Sequence, residues 1–179
     1  MRSKLSRRNF IAATGGILIA SGASPVLATP FEGSRSVAFD CLHTGEKLKV
    51  EYWNNGQYVP GALAEVNKVL RDFRTGDVHP IDPGLLDLLA KLRGTLDSRD
   101  PFQVISGYRS PHTNALLHER SDGVANHSLH MQGMAIDIRL GGRSLSDLHM
   151  AALSLKGGGV GYYPQSDFVH VDVGRVRRW

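Results

Sequence analysis

Two alternating stretches far apart in the chain, Met134 to Arg139 and Phe168 to Val173, constrain the fold more than any other feature of the sequence. In the first, Met134, Ile136 and Ile138 fall on one side of an extended chain and Ala135, Asp137 and Arg139 on the other. That is the period of a half-buried strand. In the second, Val169, Val171 and Val173 oppose Phe168, His170 and Asp172. Each strand buries its branched apolar side, so Asp137 and His170 point the other way. Placed in one sheet, they face one surface. His130 precedes the first strand on a turn relaxed by Gly133 and reaches over the same spot. Two imidazoles and one carboxylate converging on a point make a three-ligand zinc site with its fourth position left for water. The alternative for each residue is a solvated or hydrogen-bonded side chain, since among 8 histidines some fall near carboxylates by chance.

The rest of the chain supplies the scaffold. Residues 36–42 and 47–53 flank His43-Thr44-Gly45-Glu46 and predict a β-hairpin. Leu63, Val66, Val69, Leu70 and Phe73 recur at helical spacing over residues 62–73, and Asp82-Pro83 opens a second, leucine-rich helix. Such stripes are packing surfaces. Phe102 to Ser106 reads as a buried strand that enters a sharp turn at Gly107-Tyr108-Arg109, and Ser110-Pro111 caps and starts a helix running to about His118. Arg109 thus sits at a strand end beside a helix start, where an arginine ordinarily serves as a surface ion-pair donor. Residues 121–127 form a candidate active-site loop, in which His127 is either a competing ligand or a substrate contact at the rim. A further helix over residues 144–155 is capped by Ser144 or Ser146 and stopped by Gly157-Gly158-Gly159, which lack the Lys-Ser/Thr ending of a phosphate loop. A hairpin over residues 160–173 closes the chain. This order of elements predicts an α+β domain, a mostly antiparallel sheet with helices packed on one face and the zinc site at the sheet surface. His118-Glu119 is followed three residues later by Asp122, so the His-Glu-x-x-His helix of thermolysin-like proteases is absent.

The first 28 residues stand apart from this domain. Ser6-Arg7-Arg8-Asn9-Phe10-Ile11 is a twin-arginine export pattern, followed by a weakly apolar run and by Val26-Leu27-Ala28 as a small-residue cleavage site. The expected division is therefore a signal peptide over residues 1–28 and a domain carrying the zinc site over 29–179, carried across the inner membrane by the Tat translocase. The run is too short and too weakly apolar for a stable membrane span. The leader holds Arg2, Lys4, Arg7 and Arg8 and no acid; taking these four from the 21 Lys and Arg leaves 17, which matches the 17 Asp and Glu. The basicity of the whole chain belongs to the leader, and nucleic acid is excluded as a charge-driven partner. Cys41 is the only cysteine, so no internal disulfide forms.

Ser128-x-His130-x-x-Gly133-x-Ala135-x-Asp137, followed later by a strand carrying His170, resembles the signature of the zinc peptidases that cut D-amino-acid bonds in bacterial cell walls, the D-alanyl-D-alanine carboxypeptidase and murein endopeptidase superfamily. The resemblance implies one Zn2+ ion held by His130, Asp137 and His170. It also implies that Arg109, in the matching Ser-Gly-Tyr-Arg-Ser turn, faces the substrate; Tyr108 of the same turn and His127 of the loop are the further candidate substrate contacts. A closer resemblance covers nearly the whole chain. The His-Thr-Gly-Glu turn, Asp82-Pro83-Gly84-Leu85, Gly158-Gly159-Val160-Gly161-Tyr162-Tyr163-Pro164 and Arg178-Trp179 are similar to the Tat-exported group of murein endopeptidase K. That implies a periplasmic enzyme acting on peptidoglycan in cell wall growth or remodelling, with the bond between two meso-diaminopimelate residues as first candidate. A D,D-carboxypeptidase or D,D-endopeptidase would use the same site, and a non-catalytic peptidoglycan-binding module remains the third class.

One departure bears on the chemistry. The better-known carboxypeptidases of the superfamily place a glutamate three residues before the last zinc histidine, or a histidine two before it; this chain has Asp167 and Phe168 there. Either Asp167 substitutes as general base, or Asp172, two residues past His170 on the same strand face, takes the role. Asp172 could equally be the acceptor that fixes the His170 imidazole. The guanidinium of Arg109 is the candidate for stabilising charge on the carbonyl oxygen.

Overall fold

A computed structural model describes residues 33–120 and 125–179; the leader expected over residues 1–28 and part of the loop over 121–127 lie outside the described residues. Strands β1 (Arg35–Cys41), β2 (Lys47–Asn54) and β3 (Gln57–Tyr58) lead into helices α1 (Pro60–Val69) and α2 (Pro83–Thr95). Then come β4 (Phe102–Ser106), α3 (Pro111–Arg120), a short 3₁₀ turn (Leu129–Gln132), β5 (Ala135–Leu140), α4 (Leu145–Leu155), β6 (Gly159–Tyr163), β7 (Phe168–Asp172) and β8 (Arg177–Arg178). The strands form one sheet in the order β3-β2-β1-β4-β5-β7-β6-β8.

The sheet is mixed, which corrects the expectation of a mostly antiparallel one: β1 pairs with β4, and β6 with β8, in parallel. A parallel neighbour requires a crossover. Here the long connection from β1 to β4, carrying α1 and α2, supplies it. The two-residue strands β3 and β8 were invisible to periodicity, because two residues cannot display a period.

The apolar sides of the strands meet the helices. Phe39, Phe102, Ile136, Ile138, Val169 and Val171 share one buried cluster with Leu85, Leu86, Leu89 and Leu92 of α2 and Leu148 of α4. Each such side chain, fully buried, contributes about 1.5–3 kcal/mol. Burying that side of β5 and β7 is what turns Asp137, His170 and Asp172 onto the opposite face. Asp82 starts α2 by accepting the Gly84 N–H at 2.7 Å, with Pro83 at the first helical position. The first helix ends at Val69 rather than Phe73. Tertiary contacts take over there: the Leu70 carbonyl accepts the Tyr108 N–H at 2.8 Å, Asp72 accepts the Ser110 N–H at 2.9 Å, and Phe73 stacks on His43.

One glycine locks the site's turn to the scaffold. Gly133 takes a φ of 68°, and a Cβ there would lie 2.2 Å from the Pro80 carbonyl oxygen, while its own carbonyl accepts the Asp82 N–H at 3.0 Å. Gly133→Ala must therefore push the His130 turn off the start of α2. The expected cost is about 3 kcal/mol, read as a lowered midpoint in denaturant unfolding; an unchanged midpoint would show that the turn relaxes freely.

Candidate active site

Antiparallel pairing brings the two strand residues together. Asp137 of β5 stands directly opposite His170 of β7 and, on its other side, opposite Ser106 of β4, beyond a register shift between Val104 and Ser106. Side chains opposite each other on one face have Cβ atoms about 4.5–5.5 Å apart. His130 arrives from the 3₁₀ turn, whose start is capped by Ser128 and whose end is closed by Gly133. The three residues meet: His130 Nε2 is 3.2 Å from Asp137 Oδ1 and 3.2 Å from His170 Nδ1, and His170 Nδ1 is 2.9 Å from Asp137 Oδ1.

The outer neighbours decide what these atoms can do. His130 Nδ1 lies 2.7 Å from the Gly107 carbonyl oxygen, which can only accept, so that nitrogen carries the ring proton. His170 Nε2 lies 3.2 Å from the Asp172 carboxylate and by the same logic carries its proton there. Both inward-facing nitrogens are then lone pairs, aimed at each other and at a carboxylate oxygen. Such a trio is stable only around positive charge, and it can hold a metal ion. Among the described residues no second group of His, Cys, Asp and Glu converges in this way. Where no cation is bound, a proton is drawn in. Burial alone would depress the His170 pKa, but hydrogen bonds and charge from Asp137 and Asp172 outweigh it and raise it to about 9. Burial likewise works against ionised Asp137, yet the His130 and His170 rings hold its carboxyl far below the usual range.

Asp172 stands behind His170, fully buried. Its Oδ1 accepts from Gly174 N at 2.8 Å, Gly159 N at 2.9 Å and Arg177 Nη1 at 3.2 Å, and its Oδ2 from Arg177 Nη2 at 2.7 Å. Burial favours its neutral form; the hydrogen bonds from His170, the two amides and Arg177 prevail and keep it ionised well below the ordinary carboxylate range. Asp167 is elsewhere. It occupies the β6–β7 turn at a φ of 54°, exposed, its Oδ2 2.6 Å from Arg139 Nη1.

The trio opens into a cleft of about 430 Å³ whose walls include Arg109, His127, Tyr163, Phe168, Arg177 and Trp179. Arg109 is only 9% exposed, and its contacts are long: Nη2 to Asp137 Oδ2 at 3.6 Å and Nη1 to Asn114 Oδ1 at 3.5 Å. Its Nε has no hydrogen-bond partner among the described residues. Burial lowers its pKa, with the Asp137 carboxylate opposing, and a guanidinium stays charged regardless. A buried, poorly satisfied cation beside an open cleft is a receptor for developing or fixed negative charge. Tyr108 does not line the cleft; it stacks on His79 with ring centroids 4.7 Å apart. His127 is exposed at the rim.

Sequence reasoning passed over four residues here. Asn114, buried in α3, donates to the carbonyls of Ala125 and Asn126 and so ties the loop before His130 to the Arg109 guanidinium. Arg177 neutralises Asp172, while Tyr163 and Trp179 form an aromatic wall. The Ser-Pro-x-x-Asn spacing placed Asn114 one helical turn past Ser110, a usable signal; Arg177 sits on a two-residue strand and gave none.

Comparison with known proteins gives the family. Residues 29–179 match the family model described as peptidoglycan L,D-endopeptidase MepK. The peptidoglycan L,D-endopeptidase MepK of Escherichia coli K12 is 44% identical over 178 residues, covering 97% of both chains. A probable peptidoglycan L,D-endopeptidase MepK of Haemophilus influenzae is 42% identical over 146 residues, covering 81% of this chain and 78% of its own. Two histidines and an aspartate on a sheet surface, in a chain alike from end to end, leave one assignment: it belongs to the peptidoglycan L,D-endopeptidase MepK family of peptidases.

Proposed function

We propose that this chain is a zinc-dependent murein endopeptidase that hydrolyses peptide cross-links in peptidoglycan, the bond between two meso-diaminopimelate residues first among them. The observation that carries the proposal is the convergence of His130, Asp137 and His170 in an open cleft. Their donor atoms are 2.9–3.2 Å apart, and a tetrahedral zinc with bonds of about 2.0–2.1 Å separates its ligands by about 3.3 Å. Two imidazoles and one carboxylate are also a donor set that catalytic zinc takes. When bound, zinc polarises an amide carbonyl and activates water near neutral pH.

The protein's own groups do the rest. Arg109, buried and under-satisfied, offers its guanidinium to the carbonyl oxygen as negative charge develops there. Asn114 holds that guanidinium and the neighbouring loop in register. Asp172 holds the His170 ring in the tautomer that turns Nδ1 inward. His127, at the rim, contacts the substrate. A bond joining the L-centre of one diaminopimelate to the D-centre of the next is an L,D bond, the type named for the relatives. This favours it over the D,D linkages.

Such a substrate lies outside the inner membrane. We propose that the twin-arginine leader over residues 1–28 delivers the domain to the periplasm through the Tat translocase. No helix among the described residues is long and apolar enough to cross a membrane.

The decisive experiment is mass analysis of products from zinc-loaded protein incubated with defined muropeptide dimers. L,D-cross-linked dimers should fall to monomers. Release of terminal D-alanine, or cleavage confined to D,D-linked dimers, would replace this substrate with the other. Zinc-loaded protein that binds the dimers but cuts none would favour a binding module.

A further inference from the structure

The aromatic wall of the cleft has no part in holding a metal, yet it is built with care. Trp179 is tied to β6 by its backbone, donating to the Val160 carbonyl at 3.2 Å and accepting the Tyr162 N–H at 3.1 Å. Its indole Nε1 donates to the Tyr163 hydroxyl at 2.7 Å. The ring lies over Gly161, where a Cβ would come within 2.8 Å of the indole. Arg177, anchored on Asp172, places its guanidinium 4.9 Å from the ring centroid. An indole fixed from this many sides would normally be covered. This one is 49% exposed and lines the cleft.

Its position says what it meets. The indole centroid is 5.3 Å from that of His170, with the rings tilted by 49°. An extended peptide advances about 3.3 Å per residue, so a group touching Trp179 belongs to a residue beside the cleaved amide. The matching chemistry is a run of methylenes, which an indole face covers well.

We infer that Trp179 is a specificity-determining residue, whose exposed face packs against the aliphatic side chain of the stem-peptide residue flanking the scissile bond. This rests on the endopeptidase reading above. Tyr163 acts through it, as a positioning residue that fixes the indole by accepting its N–H.

The test uses zinc-loaded enzyme and an L,D-cross-linked muropeptide dimer. Trp179→Ala should raise KM at least about tenfold, leave kcat within about threefold, and retain zinc; Trp179→Phe should recover most of the loss. Gly161→Ala, which pushes the indole aside without removing it, should raise KM in the same direction. An unchanged KM in Trp179→Ala overturns the inference. So does zinc loss with a parallel fall in kcat, because the ring would then merely shield His170. A second readout needs no turnover. The chain has 2 tryptophans, so Trp53→Phe leaves Trp179 as the sole indole fluorophore, and its emission should shift to the blue when the dimer binds. Cleavage by the wild type without that shift defeats this inference alone; the shift without cleavage defeats the endopeptidase reading, and with it the specificity role, and leaves only a contact between Trp179 and the stem peptide.

Discussion

Replacing His130 or His170 by alanine should remove metal retention and hydrolysis together. With one of the three proposed ligands gone, zinc content after dialysis should fall to a small fraction of that in the wild type, and turnover of cross-linked muropeptides should drop by about 10³-fold or more, the scale lost when a principal catalytic group is removed. The fold should survive. Ile136, Ile138, Val169 and Val171 still bury their side of the sheet, and the main structural penalty in His130→Ala is the Gly107 carbonyl left without its imidazole donor, about 1–3 kcal/mol. Circular dichroism and metal analysis on the same samples separate lost metal from lost structure. A His170→Ala protein that keeps both zinc and full activity would remove this site from the chemistry.

The same site fixes the sign of a pH dependence. In the metal-free protein His170 binds its proton more tightly than an ordinary histidine, with a pKa raised from 6.5 to about 9. The stability this contributes is fully present below about pH 6.5 and is lost as pH rises through about 9. A metal must displace that proton, so its affinity moves the opposite way, weakening by about tenfold for each unit of pH below the raised value. Zinc titrations at several pH values, paired with melting of the metal-free protein, should show the two slopes with opposite sign. Parallel slopes would mean that the metal does not compete for the His170 nitrogen.

How far the sequence carried this site follows from what a pattern can encode. Asp137 and His170 were legible because a period of 2 fixes the face of every residue once one face is apolar, and both strands have an unambiguous apolar face. The caps at Asp82 and Ser110 were legible for a similar reason, since an N-cap is a local device, and Ser144 was one of the two candidates for the last helix. Partnerships set by tertiary contact were not. The first helix stops short because Leu70 and Asp72 are taken by the turn at Tyr108 and Ser110, and no window of sequence contains both partners. Likewise the parallel β1–β4 pairing depends on where a crossover lands. Asp167 illustrates the limit most plainly: its spacing to His170 invites comparison with a catalytic glutamate, but its backbone turns it outward to Arg139.

Asp172→Asn should weaken zinc binding by about 10–100-fold, the usual cost of losing the group that orients a metal-bound histidine, and excess zinc should restore most of the hydrolysis. The sequence left Asp172 open between a proton-accepting base and an orienting partner for His170, and the two roles part in this variant. A base must present a free lone pair to the cleft and have a proton affinity near the working pH. Asp172 has neither: both oxygens are engaged by Gly159, Gly174, Arg177 and His170, its side chain is fully buried, and those contacts hold its pKa well below the ordinary range. Asparagine preserves the shape but removes the charge that His170 and Arg177 both face. Its amide can also present an N–H to His170 Nε2, favouring the tautomer with the proton on the inward nitrogen. That tautomer opposes metal binding, so the defect should lie in affinity. Alanine at the same position is a harsher change, because it strands the Arg177 guanidinium and two amides, and is expected to destabilise the fold by about 3–5 kcal/mol. The contrast that decides is zinc occupancy at saturating metal. A fully loaded Asp172→Asn protein that stays inactive by 10³-fold or more would make Asp172 the base, whereas recovery with added zinc assigns it to holding His170.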